Sequence, residues 1–491
     1  MKTLLAAVLT LLAVAGFTSP ARADSGLERF YRQQVRWTGC ADPELDRAGL
    51  RCAEITVPLD YRAPRGRTIT VTISRLAATD PARRRGILQT NPGGPGGFGL
   101  DMPIRVRAAL TPEAAARYDL IGMDTRGLGR SSPLDCGLRS SIWLRSAGLD
   151  RRGFDETAAL ARDEARRCRE KYPDLLPHIT SRNIARDLDL VRGALRERKT
   201  SFLGQSYGAY LGAVYAQLFG RNLDRLVLDS APDPRRVGVG LFRDMGPANE
   251  KAVDEFAAWA AGRDSRLGST PDQVRGLLER LVRDAAAEPL RIGGYRVDEH
   301  TLPYVFYLHT TDERQNERLA ETVRTLAGAA AGEPVTPSPE LLDLLDFLAR
   351  PVRGAAQNAA TLAVLCGDQA APADPESSWH AVQHARVSQP LFGPLLNSIM
   401  PCAYWGPPAE RATEIGNRVP ALLLQATRDT RTPYADGLAA HRALRGSRLV
   451  TVEARTHAIF ANFPSDCANR AVNRYLADGT LPGGDQHCTG S

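Results

Sequence analysis

Three side chains in this sequence have the types and spacing of a hydroxyl nucleophile with its base and acid: Ser206, His457 and Asp429. Ser206 stands in Gly204-Gln205-Ser206-Tyr207-Gly208. The apolar run Ser201-Phe202-Leu203 precedes it, and Ala209-Tyr210-Leu211-Gly212-Ala213-Val214-Tyr215 follows as a helix start. A G-x-S-x-G pentapeptide between strand and helix sets its serine on a cramped turn, hydroxyl outward. Both glycines are required because a side chain at either would collide with the neighbouring strand or helix. A serine hydroxyl is a poor nucleophile without a base, and the base needs an acid to hold its tautomer. Asp429 follows the apolar run Ala421-Leu422-Leu423-Leu424-Gln425, and His457 follows the next, Arg448-Leu449-Val450-Thr451-Val452. They lie 28 residues apart, room for one helix and one strand. His441 falls inside that helix and His487 in the tail beside Cys488, so both fit the base position worse.

Acyl transfer also needs donors where negative charge develops on the carbonyl oxygen. One is expected at the backbone amide of Tyr207, directly after the nucleophile. The other is expected in Asn91-Pro92-Gly93-Gly94-Pro95-Gly96-Gly97-Phe98-Gly99, where glycines let backbone approach a substrate; Gly94 is favoured, with Gly93 the other candidate. A phosphate cradle is excluded because no Gly-Lys-Ser/Thr follows. Asp124-Thr125-Arg126-Gly127-Leu128-Gly129-Arg130-Ser131 reads as a turn beneath this loop. His380 and His384 are spaced one helical turn apart but have no third ligand, so no metal is expected.

Positioning these residues takes a sheet. Alternating apolar residues at Ile55-Thr56-Val57-Pro58-Leu59 and Ile69-Thr70-Val71-Thr72-Ile73 predict an antiparallel pair. Short apolar runs then follow at Gly86-Ile87-Leu88-Gln89, 119–124, 201–203 and Leu226-Val227-Leu228-Asp229, with helical stretches between them at 156–171 and 184–196. Strands alternating with helices predict an α/β fold with a mostly parallel sheet covered on both faces. From about 235 to 405 the patterns turn amphipathic and helical (249–263, 271–287, 313–330, 339–348), after which strand character resumes. The organisation expected is a core over 24–234, a helical insertion over 235–405, and the rest of the core over 406–491.

With 491 residues, 43% hydrophobic and 24% charged, the composition is that of a soluble globular protein. Met1-Lys2, the apolar run 4–17 and Ser19-Pro20-Ala21-Arg22-Ala23 read as a signal peptide cleaved after Ala23, predicting an exported protein without stable membrane insertion. The net charge of +7 is spread along the chain, and the lysines are only Lys2, Lys171, Lys199 and Lys251. Arg83-Arg84-Arg85 has no interleaved aromatic residues, so no nucleic-acid partner is expected. Eight cysteines in an exported chain predict disulfides. They are Cys40, Cys52, Cys136, Cys168, Cys366, Cys402, Cys467 and Cys488, and no two have the C-x-x-C spacing of a zinc site. Their types do not fix the connectivity; pairing sequence neighbours, with spans of 12, 32, 36 and 21, is the arrangement expected.

The runs Asn-Pro-Gly-Gly-Pro-Gly-Gly (91–97), Asp-Thr-Arg-Gly-Leu-Gly-Arg-Ser (124–131), Gly-Gln-Ser-Tyr-Gly (204–208) and Arg-Asp-Thr-Arg-Thr-Pro (428–433) resemble those of the secreted tripeptidyl aminopeptidases of actinobacteria. These are α/β-hydrolases related to prolyl aminopeptidases. The likeness extends over nearly the whole mature chain, from Trp37-Thr38-Gly39-Cys40 onward. It implies an α/β-hydrolase fold with a helical lid, no cofactor, and release of short peptides from free N-termini. It places Ser206, Asp429 and His457 at the nucleophile, acid and base positions. One departure is that the family's histidine is commonly flanked by glycine, whereas Thr456 and Ala458 stand here. An exopeptidase also needs an anion for the substrate's ammonium group, and Asp368, beside Cys366 and just past the insertion, is the candidate. An exported carboxylesterase with the same three residues is the alternative. An aspartate-nucleophile dehalogenase is disfavoured by Ser206, and a catalytically dead binding module by the complete trio. The sequence leaves the oligomeric state open.

Overall fold

The computed structural model describes residues 26–139 and 144–489. The signal-peptide reading concerns residues outside that range. A nine-stranded sheet organises the chain. Its strands are β1 (Arg51–Pro58), β2 (Thr68–Leu76), β3 (Gly86–Asn91), β4 (Tyr118–Met123), β5 (Thr200–Gln205), β6 (Leu223–Asp229), β9 (Ala421–Ala426), β10 (Ser447–Val452) and β11 (Gln486–Cys488). The spatial order is β1-β2-β4-β3-β5-β6-β9-β10-β11. β2 runs antiparallel to β1 and β4, and every other pairing is parallel.

The central strands β3, β4, β5 and β9 are buried at every residue, and each carries a short apolar run rather than an alternating pattern. Successive residues point to opposite faces and enter different cores. Phe202 packs with Leu188, Leu211 and Val214 on one side, whereas Leu203 packs with Leu88, Val106, Val227 and Val472 on the other. The arginines of the 83–85 cluster that face the sheet end are ion-paired, Arg84 with Asp119 and Glu197, and Arg85 with Asp224.

Between β6 and β9 the chain passes through helices Val239–Ala260, Pro271–Ala287, Leu302–His309, Asn316–Ala330, Pro339–Ala349, Pro351–Asp368 and Pro375–Arg386. Several start with a polar cap followed by proline: Thr270 accepts from the Gln273 amide, Ser338 from Leu341, and Asp374 from Glu376 and Ser377. A two-stranded hairpin, β7 (Leu290–Ile292) with β8 (Tyr295–Val297), interrupts them, which the helical periodicity did not predict. Helix Pro351–Asp368 was also unforeseen. It places Asp368 at its last residue, inside the insertion rather than past it.

The cysteines are bonded in sequence order, Cys40–Cys52, Cys136–Cys168, Cys366–Cys402 and Cys467–Cys488. The last of these fixes β11 against the sheet edge, where the sequence suggested only a tail. No helix among the described residues is long and apolar enough to cross a membrane.

Candidate active site

Ser206 lies at the junction of β5 and helix Tyr207–Phe219 with φ 58° and ψ −125°, a left-handed conformation that costs a non-glycine residue on the order of 1–3 kcal/mol. The turn is held by the Ser206 amide donating to the Asp229 carbonyl at 2.8 Å. Close approach explains the flanking glycines. A Cβ on Gly204 would lie 2.1 Å from the Gly208 carbonyl oxygen, and one on Gly208 would lie 2.5 Å from that of Asn91, where β3 ends. Gly93 packs onto the same turn: a Cβ there would sit 2.4 Å from the Gln205 oxygen and 3.2 Å from the Tyr207 nitrogen. The Asn91-to-Gly99 loop is therefore seated directly on the elbow. Within it the Gly93 amide is buried and donates to Asn91 Oδ1 at 3.0 Å, whereas Gly94 is exposed. Asp124 supports the loop from below, accepting from the amides of Gly99 and Arg130, each at 3.0 Å.

Asp429 and His457 meet in a hydrogen-bonded pair. The imidazole Nδ1 lies 3.0 Å from Asp429 Oδ1 and 2.9 Å from Oδ2. The carboxylate also accepts from the amides of Arg431 (2.8 Å) and Thr432 (3.0 Å) and from the Thr432 hydroxyl (2.9 Å). Asp429 is 1% exposed, and burial alone would raise its pKa. The His457 imidazole, together with the Thr432 and Arg431 amides, instead holds the carboxyl below its usual range, so it stays an anion.

Asp368 is buried and accepts from the Ser181 amide at 2.7 Å and the Ser181 hydroxyl at 2.5 Å. Ser181 Oγ in turn lies 2.6 Å from the Tyr207 hydroxyl. Burial pushes Asp368 up to about 6, against the Ser181 donors and Arg182. His380 and His384 both lie on helix Pro375–Arg386, and no group of three or more His, Cys, Asp or Glu among the described residues is arranged to hold a metal ion.

Residues that no local motif announced complete the surroundings. Arg431 is half-buried, stacks on the Tyr307 ring at 3.4 Å, and donates to Asn249 Oδ1 at 3.0 Å, to Thr311 Oγ1 at 2.5 Å and to the Tyr307 carbonyl. Asn249 Nδ2 reaches the Thr430 carbonyl at 2.8 Å. Arg455 donates to the Thr310 carbonyl at 3.1 Å and to Asn316 Oδ1 at 2.7 Å. The inserted helices thus grip the acid loop and the histidine loop together. The only sequence signal was the arginine content of Arg428-Asp429-Thr430-Arg431 and Arg455-Thr456-His457.

A serine on a strand-to-helix elbow, an Asp–His pair after the two strands that follow the insertion, and this strand order define a serine hydrolase of the α/β-hydrolase fold. Family models agree: "alpha/beta hydrolase fold" matches residues 90–283 and "TAP-like protein" matches 389–488. The chain is 32% identical over 486 residues to the tripeptidyl aminopeptidase of Streptomyces lividans, covering 94% of this chain and 87% of that one. It therefore belongs to the tripeptidyl aminopeptidase family. It is also 28% identical to the serine protease Hip1 of Mycobacterium tuberculosis (93% and 91% covered) and 30% identical to a carboxylesterase B of that organism (93% and 90%). Among solved structures, the proline iminopeptidase of Mycobacterium smegmatis matches at 16% identity with a TM-score of 0.42, covering 87% of this chain and 98% of that one.

Proposed function

We propose that the protein is an exported aminopeptidase that releases short peptides, tripeptides in the first instance, from free N-termini through an acyl-enzyme on Ser206. The observation that carries this reading is the buried Asp429–His457 pair at 2.9 Å, set on loops packed against the strained Ser206 turn. Ser206 Oγ attacks the scissile carbonyl while His457 Nε2 takes its proton. Asp429 holds Nδ1 protonated and compensates the imidazolium. The amides of Tyr207 and Gly94 stabilise the oxyanion; the exposure of Gly94 and the capture of the Gly93 amide by Asn91 support that choice. His457 then protonates the leaving amine, and water attacks the acyl-enzyme by the reverse proton path. Four disulfides support export.

In this reading Asp368 holds the substrate ammonium. Supporting it is a cavity of about 440 Å³ that Asp368 lines with Tyr210, Gln369 and Glu414. Ser181 takes one lone-pair site on each carboxylate oxygen and leaves others for an ammonium ion. With burial pushing Asp368 up to about 6, KM for free N-termini is expected to fall as pH rises through that value, and KM for blocked substrates to stay unchanged.

The similarity to a carboxylesterase favours one second reading, ester hydrolysis by the same trio. Mass spectrometry of products from peptides with free and blocked N-termini, beside short acyl esters, separates the two. Cleavage three residues from a free N-terminus is expected, and turnover of esters with all peptides left intact overturns the peptidase reading. Absence of fluorophosphonate labelling at Ser206 in folded protein overturns both.

A further inference from the structure

Asp229, the last residue of β6, holds two catalytic loops with its two ends. Its carbonyl oxygen accepts from the Ser206 amide at 2.8 Å. Its carboxylate accepts from the amides of Ile459 at 2.9 Å and Phe460 at 2.8 Å, on the loop that carries His457. The neighbours reinforce the same junction. Gln205 Nε2 donates to Asp229 Oδ2 at 3.1 Å and to the Phe460 carbonyl at 2.7 Å, and Ser230 Oγ accepts from the Ala458 amide at 2.9 Å. The Ser206 turn and the His457 loop are some 250 residues apart in the chain, yet one aspartate and its two companions tie them together.

Three features separate this from an ordinary satisfied core carboxylate. First, Asp229 and Ser230 are 0% exposed, and among the described residues no arginine or lysine forms an ion pair with Asp229. Burial pushes its pKa up, and the Ile459 and Phe460 amides, Gln205 and the nearby His457 side chain oppose that push, with Ser230 Oγ a further donor at 3.3 Å. Second, Ser206, Ser230, Ala458 and Ala461 all have left-handed backbone (φ 58°, 58°, 61° and 66°) and converge on this junction. Strained turns persist where their surroundings over-determine them. Third, Asp429 grips the imidazole ring, whereas Asp229 and Ser230 grip the backbone of 458–460, so His457 is fixed from two independent sides.

We propose that Asp229 is a positioning residue, which sets the His457 imidazole against Ser206 by clamping both loops to the end of β6. The inference rests on the reading of Ser206 and His457 as nucleophile and base. Displacing a reacting group by an ångström costs on the order of 100-fold in rate without touching substrate binding. Asp229→Asn replaces one of the two accepting oxygens with an NH2, so one of the Ile459 and Phe460 amides faces a donor while the other keeps its acceptor.

The test measures kcat and KM for a p-nitrophenyl ester, the fluorophosphonate labelling rate at Ser206, and the thermal midpoint, for wild type and Asp229→Asn. Expected is a fall in kcat and labelling rate of about 100-fold with KM unchanged. A folded variant that keeps wild-type kcat and labelling rate overturns the proposal, as does a loss confined to KM or to the thermal midpoint. Should Asp229→Asn not fold, Ser230→Ala keeps the Asp229 carboxylate and removes the acceptor of the Ala458 amide together with the Ser230 Oγ donation to Asp229 Oδ1 at 3.3 Å. A kcat loss of about tenfold supports the clamp and a wild-type kcat overturns it. Failure of the wild-type protein itself to label at Ser206 sinks the functional reading instead, so the two failures are distinct.

Discussion

The hydroxyl of Thr361 donates to the carbonyl of Pro95 at 2.6 Å, joining an inserted helix to the glycine-rich loop beside Ser206. A Cβ on Gly96 would lie 2.2 Å from the same hydroxyl, so the two segments are in direct contact. Two helical turns further on, Asp368 reaches Tyr207 through Ser181. Helix Pro351–Asp368 thus braces both segments that supply the proposed oxyanion donors. Thr361→Ala leaves a buried carbonyl unpaired and frees the loop, at about 1–2 kcal/mol. The expected outcome is a kcat lowered roughly tenfold with KM little changed, and restoration by Thr361→Ser, which keeps the hydroxyl. Steady-state kinetics of the pair decide it; an unchanged Thr361→Ala enzyme removes the brace from the account.

Asn249 plays the corresponding part for the acid loop. Its Nδ2 serves the carbonyls of Met245 and Thr430, each at 2.8 Å, and its Oδ1 receives Thr310 Oγ1 at 2.6 Å and Arg431 at 3.0 Å. The bonds to Met245, Thr430 and Thr310 are buried and the one from Arg431 is part-buried, with Asn249 itself at 0% exposure. Asn249→Ala strands several polar groups at once, including the guanidinium next to Asp429, and is expected to cost about 2–4 kcal/mol of stability. Because Thr430 adjoins Asp429, the proposed acid, kcat is expected to fall as well. Asn249→Asp keeps the acceptor for Arg431 and loses only the donor, and is expected to be intermediate in thermal midpoint and in kcat.

Ser206, Asp429 and His457 were legible because each follows a strand and carries a residue type with a chemical demand attached. The central strands were legible from the short apolar runs at their centres, such as Ile87-Leu88, Phe202-Leu203 and Leu422-Leu423-Leu424, buried on both faces. Thr361, Asn249, Ser181 and Asp229 were not, since each acts through hydrogen bonds to residues distant in sequence, which leave no periodic trace. The same holds for β7 and β8, three residues each and too short for alternation to register. Ala458 was noted as a departure from glycine, and its φ of 61° gives the reason glycine suits that position.

Asp436 opens a pH dependence at the root of the insertion. It sits in the first turn of helix Tyr434–Ala443, 6% exposed, with Oδ2 unpaired. Burial first, then the charges of Asp244 and Asp233, push it up to about 7, while the Asp233 amide and Arg236 pull the other way. A carboxyl raised in the fold favours its protonated form there. Its stabilisation is complete below the ordinary carboxyl range near 4 and is lost as pH rises through about 7. The effect is up to about 4 kcal/mol. Asp436→Asn is therefore expected to match wild type in thermal midpoint at pH 4 and to exceed it at pH 8. Equal midpoints at pH 8 contradict the argument.

The Cys366–Cys402 disulfide closes a loop of sequence separation 36 and ties the end of helix Pro351–Asp368 to the turn Pro401–Tyr404. Chain entropy gives such a loop about 4 kcal/mol. Both cysteines are buried, so the bond is reached by reductant only when the region opens. Cys366 lies two residues from Asp368 and five from Thr361, the two contacts through which this helix holds Tyr207 and Pro95. Losing the bond therefore loosens the oxyanion segments before it loosens the sheet. The double variant Cys366→Ser/Cys402→Ser is expected to unfold about 4 kcal/mol more easily in denaturant and, while folded, to lose kcat more than it gains KM. Cys40→Ser/Cys52→Ser, which opens a loop of separation 12 and leaves the Cys366–Cys402 bond in place, serves as the comparison and is expected to keep more of its kcat. Equal kcat in both double variants refutes the link between this disulfide and the oxyanion segments.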